Sequence, residues 1–234
     1  MPAFRTRLHR SARPVLLALS LAIPSAAVAE STCFGTTSNG RLEAACNLPS
    51  SGENFTAYSS LLRLAGRTHV HCEVRRVVLD AYRALHGSRP GTVFVYGETG
   101  KRKGGPFPPH KTHQNGLSVD FMAPVLDREG RSVPLPTHVL NRYGYDVEFT
   151  LDGRHRDLTL DFEAGAAHLA ALKSAADAAG VGIRRVLFDP EMQPALRATD
   201  AWPEIASLTF ATRRSWVRHD DHYHVDFDVP CEPM

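Results

Sequence analysis

The sequence contains no internal repeat, no long low-complexity tract and no unbroken apolar run of the ~20 residues that span a bilayer. Repeat architectures, fibrous classes and a stable membrane-spanning helix are thereby excluded. A cluster of Lys and Arg interleaved with aromatic side chains is also missing, so nucleic acid is not an expected partner. The formal charge of +2 belongs largely to the leader. Arg5, Arg7, Arg10 and Arg13 precede an apolar stretch from Val15 to Ile23, Pro24 interrupts it, and Ala27-Val28-Ala29 follows with small side chains. This is the order of a cleaved secretory signal peptide, so residues 1–29 are expected to leave on export. Their removal takes away four arginines and no acid, turning +2 into −2.

Cysteine is sparse, with Cys33, Cys46, Cys72 and Cys231 all beyond the leader. An even number in an exported chain reads as two disulfides. Three pairings are open; one between Cys33 and Cys231 would tether both ends of the domain. The triplet His69-Val70-His71-Cys72 carries metal-ligating atoms, but in an oxidising compartment a bridged Cys72 is the better reading.

Strict alternation of strand and helix is absent too, which argues against a parallel α/β sheet and for a single α+β domain. Its expected form is a central, mainly antiparallel sheet flanked by helices. Residues 30–68, rich in Ser, Thr, Gly and Asn, read as an irregular arm ahead of the main domain at 69–234. Val74, Val77, Val78, Ala81, Tyr82 and Leu85 recur at helical spacing. Phe162 to Ala179 carries Ala and Leu at the same spacing and stops at Gly180, and its His168 reads as a helix-face residue rather than a ligand. Strands are expected at 92–96, 117–122, 147–150, 183–188 and 225–229, a hairpin turn at Asp152-Gly153, and a short helix from Asp189-Pro190.

Chemistry concentrates in two stretches. His110-Lys-Thr-His113-Gln-Asn-Gly116-Leu-Ser-Val-Asp120 delivers imidazole and carboxylate ligands from a Gly- and Pro-rich loop onto a strand, a mixture that suits zinc. A hundred residues on, His219-Asp-Asp-His222-Tyr-His224 places His222 and His224 on one face of an extended segment. Two ligand-bearing strands can thus meet at one ion at the sheet edge.

His110-x2-His113-Gln-x-Gly-Leu-x-Val-Asp120, then Asp152-Gly-x-His155, then Trp216-x2-His219-x2-His222-x-His224-Val, resembles the penicillin-insensitive murein endopeptidases. The resemblance runs from about Ser38 to the C-terminus. It implies a periplasmic zinc D,D-endopeptidase acting on D-Ala-diaminopimelate cross-links of peptidoglycan. Zn(2+) would be held by His113, Asp120 and His224, with His222 as general base and His219 orienting water or stabilising negative charge. His110, Asp152 and His155 match residues that can bind further metal, although an Asp-Gly turn and a hydrogen-bonded histidine need none. Looser likeness to D,D-carboxypeptidases, D-Ala-D-Ala dipeptidases and hedgehog-type zinc domains leaves those activities, or wall-peptide binding without cleavage, as alternatives. The chain departs from the family at Pro108-Pro109, where glycines are usual, and at Ser118, where Asp is usual. The second departure weakens or replaces the outer carboxylate that tunes the metal.

Overall fold

The computed structural model describes residues 30–215 and 217–234; the leader at residues 1–29 and Trp216 of the C-terminal motif lie outside them. In chain order the strands are β1 (Thr32–Thr36), β2 (Asn39–Glu43), β3 (Cys46–Asn47), β4 (Phe55–Ala57), β5 (His69–Val70), β6 (Phe94–Tyr96), β7 (Ser118–Met122), β8 (Val125–Leu126), β9 (Ser132–Val133), β10 (Arg154–His155), β11 (Leu158–Leu160), β12 (Gly182–Leu187) and β13 (His222–Asp228). The helices are α1 (Ser60–Leu64), α2 (Cys72–Ser88), α3 (Phe162–Ala179), α4 (Gln193–Arg197) and α5 (Trp202–Ile205). The main sheet runs β12-β13-β7-β6-β4, antiparallel throughout except for the parallel pair β4 and β6. The fold is therefore mixed α+β, as the lack of βαβ alternation implies. Among the described residues no helix is long and apolar enough to cross a membrane.

Alternation on β7 and β13 gives the sheet two unlike buried faces. Val119 and Phe121 with Tyr223, Val225 and Phe227 form the apolar face. Tyr82 of α2 and His168 of α3 pack their rings on Phe121 there. The six α2 residues picked out by helical spacing are the ones buried. Full burial of an aliphatic side chain is worth about 1.5–3 kcal/mol, so this face anchors the sheet. α3 starts where the Asp161 carboxylate accepts the Ala164 N–H at 2.9 Å, and stops at Gly180, whose φ of 69° suits a residue without Cβ. The opposite face carries Ser118, Asp120, His222, His224 and Asp226, all buried and all polar.

Several sequence expectations change. Residues 30–68 are not irregular: β1 and β2 form a hairpin and β4 joins the main sheet, because Phe55 buries its ring beside Tyr82 and Tyr96 and Tyr58 buries its ring against Tyr143 and Tyr145. The disulfides are Cys33–Cys231 and Cys46–Cys72, so Cys72 is no ligand. Residues 147–150 form no strand, since the Phe149 N–H is taken by the Asp220 carboxylate at 2.7 Å. The hairpin falls one turn later, between β10 and β11. The short helix expected from Asp189 begins at Gln193, after a turn in which the Asp189 side chain accepts the Glu191 N–H at 3.0 Å.

Candidate metal centre

Register brings the two sequence motifs together. His224 lies opposite Asp120 and Asp226 opposite Ser118 on the paired strands β13 and β7. These are inner strands, so the site sits on the polar face at mid-sheet and not at the sheet edge expected from the sequence, because the ligand-bearing strands pair with each other between β12 and β6. The preceding loop is pinned to the same place: the Gly97 N–H donates to the Asp120 carbonyl at 2.7 Å and the Asp120 N–H to the Glu98 carbonyl at 3.0 Å. Gly116 turns the chain back into β7 with a φ of 78°, and a Cβ there would lie 2.8 Å from the His71 nitrogen. His113 itself holds a φ of 67°, a left-handed conformation that costs a non-glycine residue about 1–2 kcal/mol and is typical of functional loops.

His113 is fully buried, and its Nδ1 donates to the Thr99 carbonyl at 3.0 Å. Burial lowers its pKa, against the pull of Asp120, so the ring is neutral and Nε2 carries a lone pair. That Nε2 has no hydrogen-bond partner, yet lies 3.3 Å from Asp120 Oδ1. Two acceptors facing each other in a dry site are unfavourable unless a cation lies between them. Their separation is also about that of two ligands each ~2.0–2.1 Å from one tetrahedral ion. The donor set therefore fits a metal.

Two further imidazoles border this pair. His110, His113 and Asp120 bring ligand atoms within 4.8 Å of one another. His224 Nδ1 lies 2.9 Å from Asp120 Oδ1, and its Nε2 lies 2.8 Å from Asp226 Oδ1. Burial works against a charged His224, but Asp226 and Asp120 outweigh it and push the pKa up to about 10. His110 Nε2 pairs with Glu98 Oε2 at 2.6 Å. Burial alone would raise the Glu98 pKa, but His110 and Arg67 bring it down to about 2.

Two more histidines stand beside this group. His222 Nδ1 is hydrogen-bonded to Asp221 Oδ1, which leaves Nε2 for exchange. Burial lowers and Asp221 raises its pKa, with a net rise. His219 packs against it with ring centroids 4.7 Å apart and donates from Nδ1 to the Val217 carbonyl at 3.1 Å. Burial, reinforced by His222, depresses its pKa to about 3, so His219 is neutral and its Nε2 is an acceptor. The Tyr145 hydroxyl accepts the Glu98 N–H and donates to Asp120 Oδ2, both at 2.9 Å.

Of the residues expected at the site, His110, Asp120, His219, His222 and His224 line one cleft of about 760 Å3, and His113 lies buried beside it, 3.3 Å from Asp120. Asp152 and His155 do not join them. Asp152 is an exposed turn residue paired with Arg154 at 3.2 Å, and His155 Nδ1 is spent on the Glu148 carbonyl at 2.7 Å. No ligand cluster containing them with His110 exists among the described residues. Sequence reasoning missed Glu98, Tyr145, Asp221 and Asp226. Asp226 was within reach, since it continues the face of His222 and His224 by one more alternation.

A largely buried His-His-Asp group that could hold a metal ion, beside paired histidines that line a cleft, fits a hydrolase. The chain belongs to the penicillin-insensitive murein endopeptidase family, whose model matches residues 33–233. The match takes in β1 to β4, so the arm lies within the family's extent. No curated protein matches the chain.

Proposed function

We propose that the protein is an exported, periplasmic zinc D,D-endopeptidase that hydrolyses D-Ala-diaminopimelate cross-links of peptidoglycan. The observation that supports it most is the partnerless Nε2 of buried His113 facing the Asp120 carboxylate. His113 Nε2, Asp120 and His224 Nδ1 would hold the ion, with His110 on its open side. Zinc so bound lowers the pKa of water toward neutrality and polarises a carbonyl.

The rest is done by the chain's own side chains. Asp226 accepts from His224 Nε2 and so directs Nδ1 toward Asp120. Asp221 holds His222 in the tautomer whose Nε2 accepts a proton during attack and returns it to the leaving amine. His219, neutral and locked by Val217, orients water by accepting from it and is unsuited to stabilising an oxyanion. The test is digestion of purified sacculi. Loss of cross-linked dimer with gain of monomer is expected; release of terminal D-Ala without loss of dimer identifies a carboxypeptidase, and no change rejects catalysis.

A further inference from the structure

Three arginines line the cleft, and their guanidinium groups are committed differently. Arg218 donates from Nε to Asp189 at 3.3 Å and from Nη2 to the Phe149 carbonyl at 2.9 Å and to Asp220 at 3.2 Å. Arg142 pairs with Asp146 at 3.5 Å in an exposed turn. Arg185 uses Nε alone, on Asp226 Oδ2 at 2.6 Å, and its Nη nitrogens take no protein partner among the described residues.

The register explains how Arg185 is aimed. Arg185 on β12 lies opposite Asp226 on β13, which lies opposite Ser118 on β7. The adjacent same-face row holds Leu187, His224 and Asp120. Asp226 is 1% exposed and also accepts from Ser118 and His224, so it cannot swing away. Tethered at one nitrogen, the guanidinium has already lost most of its rotamer freedom and offers a planar pair of donors. Such a fork matches a carboxylate in geometry and in charge.

We propose that Arg185 forms the subsite for a free carboxylate on the carbon that bears the scissile amide nitrogen. This rests on the D,D-peptidase reading and specifies its substrate. Two peptides offer that chemistry: the diaminopimelate side of a cross-link, and the terminal D-Ala of an uncross-linked stem. The position next to the ligand row would fix the scissile bond by its neighbour, on the side of the leaving amine.

The test measures binding of inert peptides, with a reduced CH2–NH in place of the scissile amide, to the zinc-loaded mature chain by calorimetry. One pair is cross-linked and one ends in the D-Ala-D-Ala analogue, and within each pair the adjacent carboxylate is free or a carboxamide. The wild type is expected to favour the free acid on the order of 10- to 100-fold, the worth of a charge-assisted contact. Preference confined to one pair names the source. In Arg185→Gln the ratio should fall to about one, and in Arg185→Lys, which keeps charge without the fork, to an intermediate value. A ratio unchanged in either variant, or a ratio near one in the wild type, overturns the proposal. A merely structural role for Arg185 would weaken both members of a pair alike and leave their ratio intact. Cleavage of native dimer by the wild type is scored separately, so failure of the peptidase reading is distinguishable from failure of the subsite.

Discussion

Replacing Asp226 with Asn isolates the control of His224 from the other contributions to the centre. Asp226 is a buried carboxylate that accepts from Ser118, from His224 Nε2 at 2.8 Å and from Arg185 Nε at 2.6 Å. An amide cannot accept all three, and its NH2 would confront the Arg185 donor. Breaking a buried pair costs about 3–5 kcal/mol, and the half-exposed Arg185 puts the loss near the lower end. Two effects on metal affinity oppose each other. Loss of orientation weakens binding by about 10- to 100-fold, whereas a His224 freed from one of its two carboxylates gives up its proton more readily, which strengthens it. A proton count separates them. With its pKa near 10, His224 is almost fully protonated at pH 8 in the metal-free protein, and that proton must leave before Nδ1 can be a ligand. Calorimetric zinc titration in buffers of different ionisation enthalpy should show roughly one more proton released than the bound water alone supplies. In Asp226→Asn the release should drop by roughly half a proton or more. Equal release from both proteins would refute the coupling of Asp226 to His224.

Two further outcomes are expected. His222→Ala should keep its zinc and lose about 10²- to 10⁴-fold in kcat, while His224→Ala loses both metal and turnover; equal metal loss in the two variants would make His222 a ligand. His168 is buried against Tyr82 and bonded to the Tyr223 hydroxyl, and burial depresses its pKa to about 3. Because the unfolded chain accepts a proton near pH 6.5 that the folded His168 refuses, stability from this residue is intact above pH 6.5 and falls as the pH drops toward 3. The loss is on the order of 3 kcal/mol by pH 4, so urea unfolding of wild type and His168→Gln should converge as the pH falls, and parallel pH profiles would contradict it.

Much of this molecule is legible in the sequence where one physical signal dominates. Helical spacing located α2 and α3, and alternation placed His222 with His224, because apolar periodicity is a local property of the chain. The strand expected at 147–150 failed because a remote carboxylate, Asp220, captured the Phe149 N–H, and nothing near Phe149 announces it. The arm of residues 30–68 was read from its Ser, Thr and Gly content, whereas its structure is set by β4 docking beside β6, a contact forty residues away. Ser118 is the instructive case. Its missing carboxylate looked like a loss of support for the metal, yet the cross-strand partner Asp226 supplies one from β13, a compensation visible only in register. Glu98 and Tyr145 lie in segments without periodicity, and only the folded chain shows that they bracket Asp120.

The ligand assignment itself is tested most directly by metal analysis of the mature wild type and of Asp120→Ala after dialysis against zinc, with turnover of cross-linked dimer measured on the same samples. The assignment predicts one equivalent of zinc per chain and cleavage in the wild type, and neither in the variant, because three protein ligands leave no redundancy. A full equivalent of zinc with undiminished turnover in Asp120→Ala would contradict it.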